Sequence, residues 1–172
     1  MVWALGDIHL LAGEIAEADA ALAACDVGLL PELLGAEASL RVPIAQGRVL
    51  LARGDHAGAI EIADTVLDRL DRMGIRSIRA DAMLLKGRAL AATGMISEAA
   101  PTLREARASA ESLGHRRILW EILFELSRTA GVSEQETLLK EAGAIVESIA
   151  AALEEDLRAS FLQRPEVRSV LN

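Results

Sequence analysis

Two glycines seven residues apart recur along this chain at a nearly constant interval. Gly47 and Gly54 are followed by Ala59 and Ala63; forty positions on, Gly87, Gly94, Ala99 and Leu103 hold the same places, and forty-one positions back Gly6, Gly13, Ala18 and Leu22 do. A period of about 20–50 residues built of two helical stretches marks a chain that folds by stacking units, since one unit cannot bury its apolar face by itself. Gly13, Gly54 and Gly94 fall where a first helix should stop and a left-handed residue is wanted. Gly47 and Gly87 are expected where the paired helices approach most closely, facing Ala59 and Ala99.

The stretches between these markers carry helical periodicity. In the second unit Ala59, Ile62, Ala63, Val66, Leu70 and Met73 form an apolar stripe, while Glu61, Asp64, Asp68, Arg69, Asp71 and Arg72 take the other face. Pro43 lies near the start of a helix over about 36–53 or kinks it, and Pro101 falls near the first turn of its helix. Residues 28–35, GLLPELLG, read as a connection or a short helical turn. Gly131 should end a helix over 116–130, and Ser133 with Glu136 reads as a capping box opening a long helix from 134 to about 155. Phe124 stands where the first three units have their small residue, as suits a terminal, capping unit. Leu157, Phe161, Leu162, Val167, Val170 and Leu171, broken by Pro165, predict a helix, a bend and a last turn folded over the open end.

The expected fold is therefore all-α: a solenoid of antiparallel helix pairs with a period of about forty residues and a C-terminal capping helix. Residues 1–172 form a single domain, with units at about 1–35, 36–75, 76–114 and 115–155 and a cap over 156–172. The first helix starts almost on top of Gly6, leaving no room for the turn that precedes Gly47 and Gly87, which is expected of a fragment of a longer protein.

Small first residue, large apolar residue three on, glycine, alanine and a second small position is also the spacing of the tetratricopeptide repeat, which the chain resembles from Gly6 to about Leu113. Gly47, Leu50, Gly54, Ala59 and Val66 match the family's signature places, as do Gly87, Leu90, Gly94, Ala99 and Ala106. The family's aromatic positions are here Leu or Ala, and its 34-residue period is stretched to about forty. The ending SFLQRPEVRSVLN resembles the cap of such arrays in large bacterial signalling and regulatory proteins, where repeats follow ATPase, kinase or nucleotide-cyclase domains. The resemblance implies a non-catalytic scaffold for contacts with proteins, peptides or other domains of the same chain, in signalling or transcription regulation. A free-standing peptide-binding adaptor is the alternative, and a small helical enzyme the remaining one. It further implies a concave surface lined by first helices, which spacing places at Arg41, Arg48, Leu51, Leu84, Arg88, Glu121 and Glu125. Arg48 and Arg88 each follow an equivalent glycine, so an acidic peptide or terminal carboxylate could bridge them. The competing reading makes both exposed arginines beside a helix seam.

Composition narrows function mainly by exclusion. The chain carries a formal net charge of −8, and its 18 basic residues are scattered, which argues against general nucleic-acid binding. Cys25 is the only cysteine, so no intrachain disulfide forms and a reduced, cytoplasmic setting is expected. It reads as a small core residue on a face with Ile15, Ala18 and Leu22. No apolar run reaches the length of a membrane span. His9, His56 and His115 lie in separate elements, Glu154, Glu155 and Asp156 lack the alternating ligands of a calcium loop, and no phosphate-binding or nucleophile-elbow motif occurs. No catalytic residue, metal or cofactor is expected. At the N-terminal end Trp3, Leu10 and part of Ile15, Ala18 and Leu22 would be left uncovered, a face for another repeat or domain, or for self-association.

Overall fold

A computed structural model describes residues 2–24 and 35–172, the side chains of Val2, Trp3 and Ala38 excepted. Cys25 and most of the connection over 28–35 lie outside the described residues. Four helix pairs follow one another: α1 (Val2–Leu11) with α2 (Ile15–Ala23), α3 (Ala36–Ala52) with α4 (His56–Met73), α5 (Arg79–Ala92) with α6 (Ile96–Ser112), and α7 (Arg116–Thr129) with α8 (Val132–Ala151). Two short helices, α9 (Glu155–Leu162) and α10 (Pro165–Leu171), close the chain. Each first helix packs on its own partner and on the first helix of the next pair, so α1, α3, α5 and α7 form one layer and α2, α4, α6 and α8 the other. The result is an α-solenoid of stacked antiparallel helix pairs.

The turns within the first three pairs are set by glycine. Gly13, Gly54 and Gly94 have φ of 78°, 82° and 80°, the left-handed conformation that releases the chain from the first helix. Asp55 then caps α4 by accepting from the Gly58 amide at 3.0 Å. The fourth pair turns differently. Gly131 has φ −72° and serves as the N-cap of α8, which begins at Val132 without any side-chain cap. The Ser133 and Glu136 capping box therefore does not form, because Ser133 is already inside the first turn. Pro43 and Pro101 both sit within their helices, the latter as the sixth residue of α6 rather than in its first turn.

The second layer presents small residues inward. Ala59, Ala63, Ala99, Ala106 and Ala110 are fully buried, as are Val66 and Leu70, whereas Met73 is exposed. What faces the first-helix glycines is not alanine, as the spacing predicts, but leucine. A Cβ built on Gly87 would lie 2.5 Å from Cδ2 and 2.6 Å from Cγ of Leu103, and one on Gly6 would lie 2.8 Å from Cγ of Leu22. Leu22 and Leu103 occupy equivalent places, sixteen residues after their glycines. In the second pair that place is Ala63, and the space over Gly47 is filled from the next pair by Leu85. A leucine missing within one unit is thus supplied by the neighbouring one.

The C-terminal end is covered. Val167 and Val170 join the core formed with Leu138, Ala142 and Val146 of α8, and Phe161 meets the Trp120 ring edge-on at 6.3 Å between centroids. Leu171, expected in this cover, is 41% exposed; the neighbouring Val170 takes the buried position. Glu154, Glu155 and Asp156 sit at the start of α9, where negative charge is favoured. Arg158 donates from Nε to the Ala150 carbonyl at 2.8 Å, closing the end of α8.

At the N-terminal end Ala18 and Leu22 are buried against Val42, Ala45 and Val49, with Leu10 and Ile15 partly buried beside them. The side chain of Trp3 lies outside the described ones, and among those described on α1 the exposed large apolar residues are Leu5, Ile8 and Leu11, at 46%, 60% and 63%. They follow one another at three-residue steps along α1, and Leu11 also borders the groove shared with Arg48 and Leu51 of α3.

The seam predicts opposite effects for two helical glycines. Gly143, in α8, has nothing nearer than 3.9 Å to an added Cβ, so Gly143→Ala should gain about 0.5–1 kcal/mol from helix propensity. Gly87→Ala gains the same term but overpacks against Leu103, at about 1–3 kcal/mol, so the net effect is destabilising. Urea unfolding of both variants checks this, and equal stabilisation by the two would contradict the seam.

Candidate functional site

The residue that follows each repeat marker lies on the open face of the first-helix layer. In successive pairs it is Asp7, Arg48, Arg88 and Glu125. These four, with four residues from elsewhere on α5 and α7, make a chain of alternating charge. Arg48 donates through Nη1 to both oxygens of Asp7 at 2.9 Å and through Nη2 to Asp81 at 3.3 Å. The same Asp81 oxygen accepts from Arg117 at 3.4 Å, and Arg117 lies 4.0 Å from Glu121. Glu121 accepts from Arg88 at 3.1 Å, Arg88 also donates through Nε to Glu125 at 2.9 Å, and Glu125 accepts from Arg128 at 3.3 Å. The ladder runs from α1 through α3 and α5 to α7.

Its central members are held in low-dielectric surroundings. The side chains of Asp81 and Glu125 are 8% and 9% exposed, and each buried carboxylate is met by an arginine from a neighbouring helix. Burial works to lower the Arg48 pKa, but Asp7 and Asp81 more than offset it and the guanidinium is held above its usual value. Nearer the start of α3, the Ser77 side chain hydrogen-bonds Glu37, which also accepts from Arg41 at 3.0 Å, and Glu37 is held below the ordinary carboxylate range.

The expected concave-face residues are only partly brought together. Arg48, Leu51, Arg88 and Glu121 line one groove of ≈ 330 Å³, which also takes in Leu10 and Leu11 of α1, Trp120 of α7, and Arg164 and Glu166 at the C-terminal end. Arg41 lies apart, in two adjoining cavities beside Asp81. Leu84 is 2% exposed and belongs to the core with Ile118 and Leu123, one helical step too far round to reach the surface. Glu125 lies beneath Arg88 and Arg128 rather than in the groove. Arg48 and Arg88, read as sites for an incoming carboxylate or as exposed surface, are both already paired with carboxylates of this chain. Asp7, Asp81, Arg117 and Arg128 were not anticipated. The recurrence of a charged residue at one repeat position, Asp7, Arg48, Arg88 and Glu125, was the signal for part of the ladder; Asp81 and Arg117 lie outside that position.

His9 pairs with Glu14 at 2.7 Å, and among the described residues no group of three or more His, Cys, Asp or Glu is placed to hold a metal ion. No helix among them is long and apolar enough to cross a membrane.

Removing the Asp81 charge leaves Arg48 short of a partner. Asp81→Asn should cost about 1–3 kcal/mol, whereas Asp68→Asn, in an exposed i, i+4 pair with Arg72, should stay within about 0.5 kcal/mol. Chemical denaturation of the two variants measures the difference, and an Asp81→Asn protein as stable as Asp68→Asn would show that the ladder bears no structural load.

Neither a protein-family model nor a curated protein sequence matches the chain. Solved structures do. A kinesin-light-chain-like protein of nearly identical TPR-like repeats from Podosopora anserina superposes with a TM-score of 0.60 at 18% identity, over 98% of this chain and 79% of that one. A point variant of the same protein gives a TM-score of 0.59 at 19% identity over the same shares. The chain has the fold of TPR-like helical repeat proteins.

Proposed function

We propose that this chain is a non-catalytic scaffold for protein contacts, and that its concave groove is the surface that takes a peptide or another domain of the same protein. The observation that carries this is the groove's mixed lining: Leu10, Leu11 and Leu51 offer apolar contact between the charges of Arg88, Glu121, Arg164 and Glu166. Because each ladder arginine already has a carboxylate, a purely acidic ligand would have to displace an internal partner. A partner with an apolar anchor and charges of both signs fits better. Arg41 and Glu125 then act from the edge and from beneath, and Leu84 by supporting the wall.

The unit boundaries given above, a cytoplasmic setting and a place among the repeats of a multidomain bacterial regulator belong to the same proposal. The C-terminal sequence and the apolar N-terminal face support it. Leu5, Ile8 and Leu11 form a surface suited to a preceding repeat, a neighbouring domain or a second copy. A free-standing adaptor remains the second reading, favoured by the same groove.

Selection from a displayed peptide library tests the groove, with Leu51→Asp and the double variant Leu5→Glu, Ile8→Glu as comparisons. The expected outcome is a set of peptides with micromolar Kd, weakened at least tenfold by Leu51→Asp and unaffected by the double variant. Peptides indifferent to Leu51→Asp, or no enrichment, would sink the groove assignment.

A further inference from the structure

The ladder leaves one charge of each sign in the groove without an ion partner. Arg48, Arg88 and Arg117 meet carboxylates of this chain, and Asp7 and Glu121 of the groove meet those arginines. Arg164 and Glu166 also line the groove, and among the described residues no ion pair holds either. They do not pair with each other. Arg164 is the N-cap of α10 and Glu166 lies in its first turn, two positions on, where side chains do not face one another.

Each is held in place by something other than a salt bridge. The Arg164 guanidinium lies over the Trp120 ring, 5.8 Å from its centroid, and Trp120 is itself met edge-on by Phe161. The Nε of Arg164 is buried and meets no acceptor, so the side chain reaches the groove with a donor unsatisfied. A carboxylate brought to Arg164 displaces no internal partner, which is the obstacle at Arg48 and Arg88. Glu166 stands in the first turn of α10, where the helix dipole favours its charge. Both side chains are half-buried, so a charge brought to either is screened less than on open surface.

We propose that Arg164 and Glu166 set the charge preference of the groove: a bound peptide places an Asp or Glu side chain at Arg164 and a Lys or Arg side chain at Glu166, with its apolar anchor against Leu10, Leu11 and Leu51. The inference rests on the peptide-binding reading of the groove and adds which two residues select the sequence. The ladder charges shape the walls, and the pair carried by the C-terminal cap recognises the ligand.

A displayed library of short peptides with a fixed central leucine and random flanks, selected against the 172-residue chain, tests this. Peptides enriched by the wild type are expected to carry an acidic and a basic residue at fixed offsets from the leucine. Arg164→Gln should lose the acidic preference and keep the basic one, and Glu166→Gln should do the reverse. For a selected peptide made with an amidated C-terminus, replacing its acidic residue by the matching amide should weaken binding to the wild type about three- to fivefold, and to Arg164→Gln not at all. Arg164→Lys keeps the charge and should keep the acidic preference; its loss there too would assign the effect to the Trp120 contact and overturn the role of the Arg164 charge. Glu166→Gln removes no ion pair among the described residues, so it tests the pair even if Arg164→Gln unsettles the cap. Peptides that need Leu51 but show no charge preference, or one that both glutamine variants leave intact, would overturn the inference while the groove reading stands. No enrichment, or peptides indifferent to Leu51→Asp, would overturn both.

Discussion

A leucine laid across a helical glycine is the contact on which this solenoid depends. Without a Cβ on Gly6 or Gly87, the side chain of Leu22 or Leu103 lies directly on the first-helix backbone, and the two helices of a pair approach closely. A fully buried leucine contributes about 1.5–3 kcal/mol, and the neighbouring alanines keep the layers near enough for it to be fully buried. The second pair tests the rule. Ala63 leaves its glycine uncovered, and Leu85 from the following pair fills the space. That exchange ties the second pair to the third through shape, which is what a stack of individually unstable units requires.

Close stacking has an electrostatic consequence. First helices set side by side place Asp7, Arg48, Asp81 and Arg117 within reach of one another, and Arg88 within reach of Glu121 and Glu125. Buried carboxylates at Asp81 and Glu125 are tolerable only because arginines from adjacent helices meet them. The ladder therefore reports the register of the stack: a slip of one turn between first helices would leave charges unpaired. It also shapes what the concave face can offer. Arginines engaged internally are poor receptors for a stray carboxylate, whereas the apolar positions between them remain accessible.

Much of the architecture was legible because its constraints are local. A left-handed turn needs Gly54 or Gly94, a tight seam needs Gly47 or Gly87, and both needs recur with the unit, so they appear as a period. The charged ladder was less legible because its contacts join residues separated by about one unit length: the common phase of Asp7, Arg48, Arg88 and Glu125 is visible in the sequence, but not which acid meets which arginine. Leu84 was misjudged by one step round the helix. The Ser133 and Glu136 pattern has the right spacing for a cap, but Gly131 lets the chain enter α8 two residues earlier. Leu171 and Val170 are neighbours in sequence, and only the angle at which α10 docks decides which is buried. Sequence periodicity fixes a face to within a residue, and packing decides the rest.

The size exchange between Ala63 and Leu85 is the most direct test of how the units are joined. Leu85→Ala opens a cavity and should cost about 2–5 kcal/mol, and Ala63→Leu in the otherwise unchanged protein should overpack at about 1–3 kcal/mol. The double variant restores within the second pair the arrangement seen in the first and third, so a double-mutant cycle read by urea unfolding should recover at least half of the loss caused by Leu85→Ala. Losses that simply add would contradict the account.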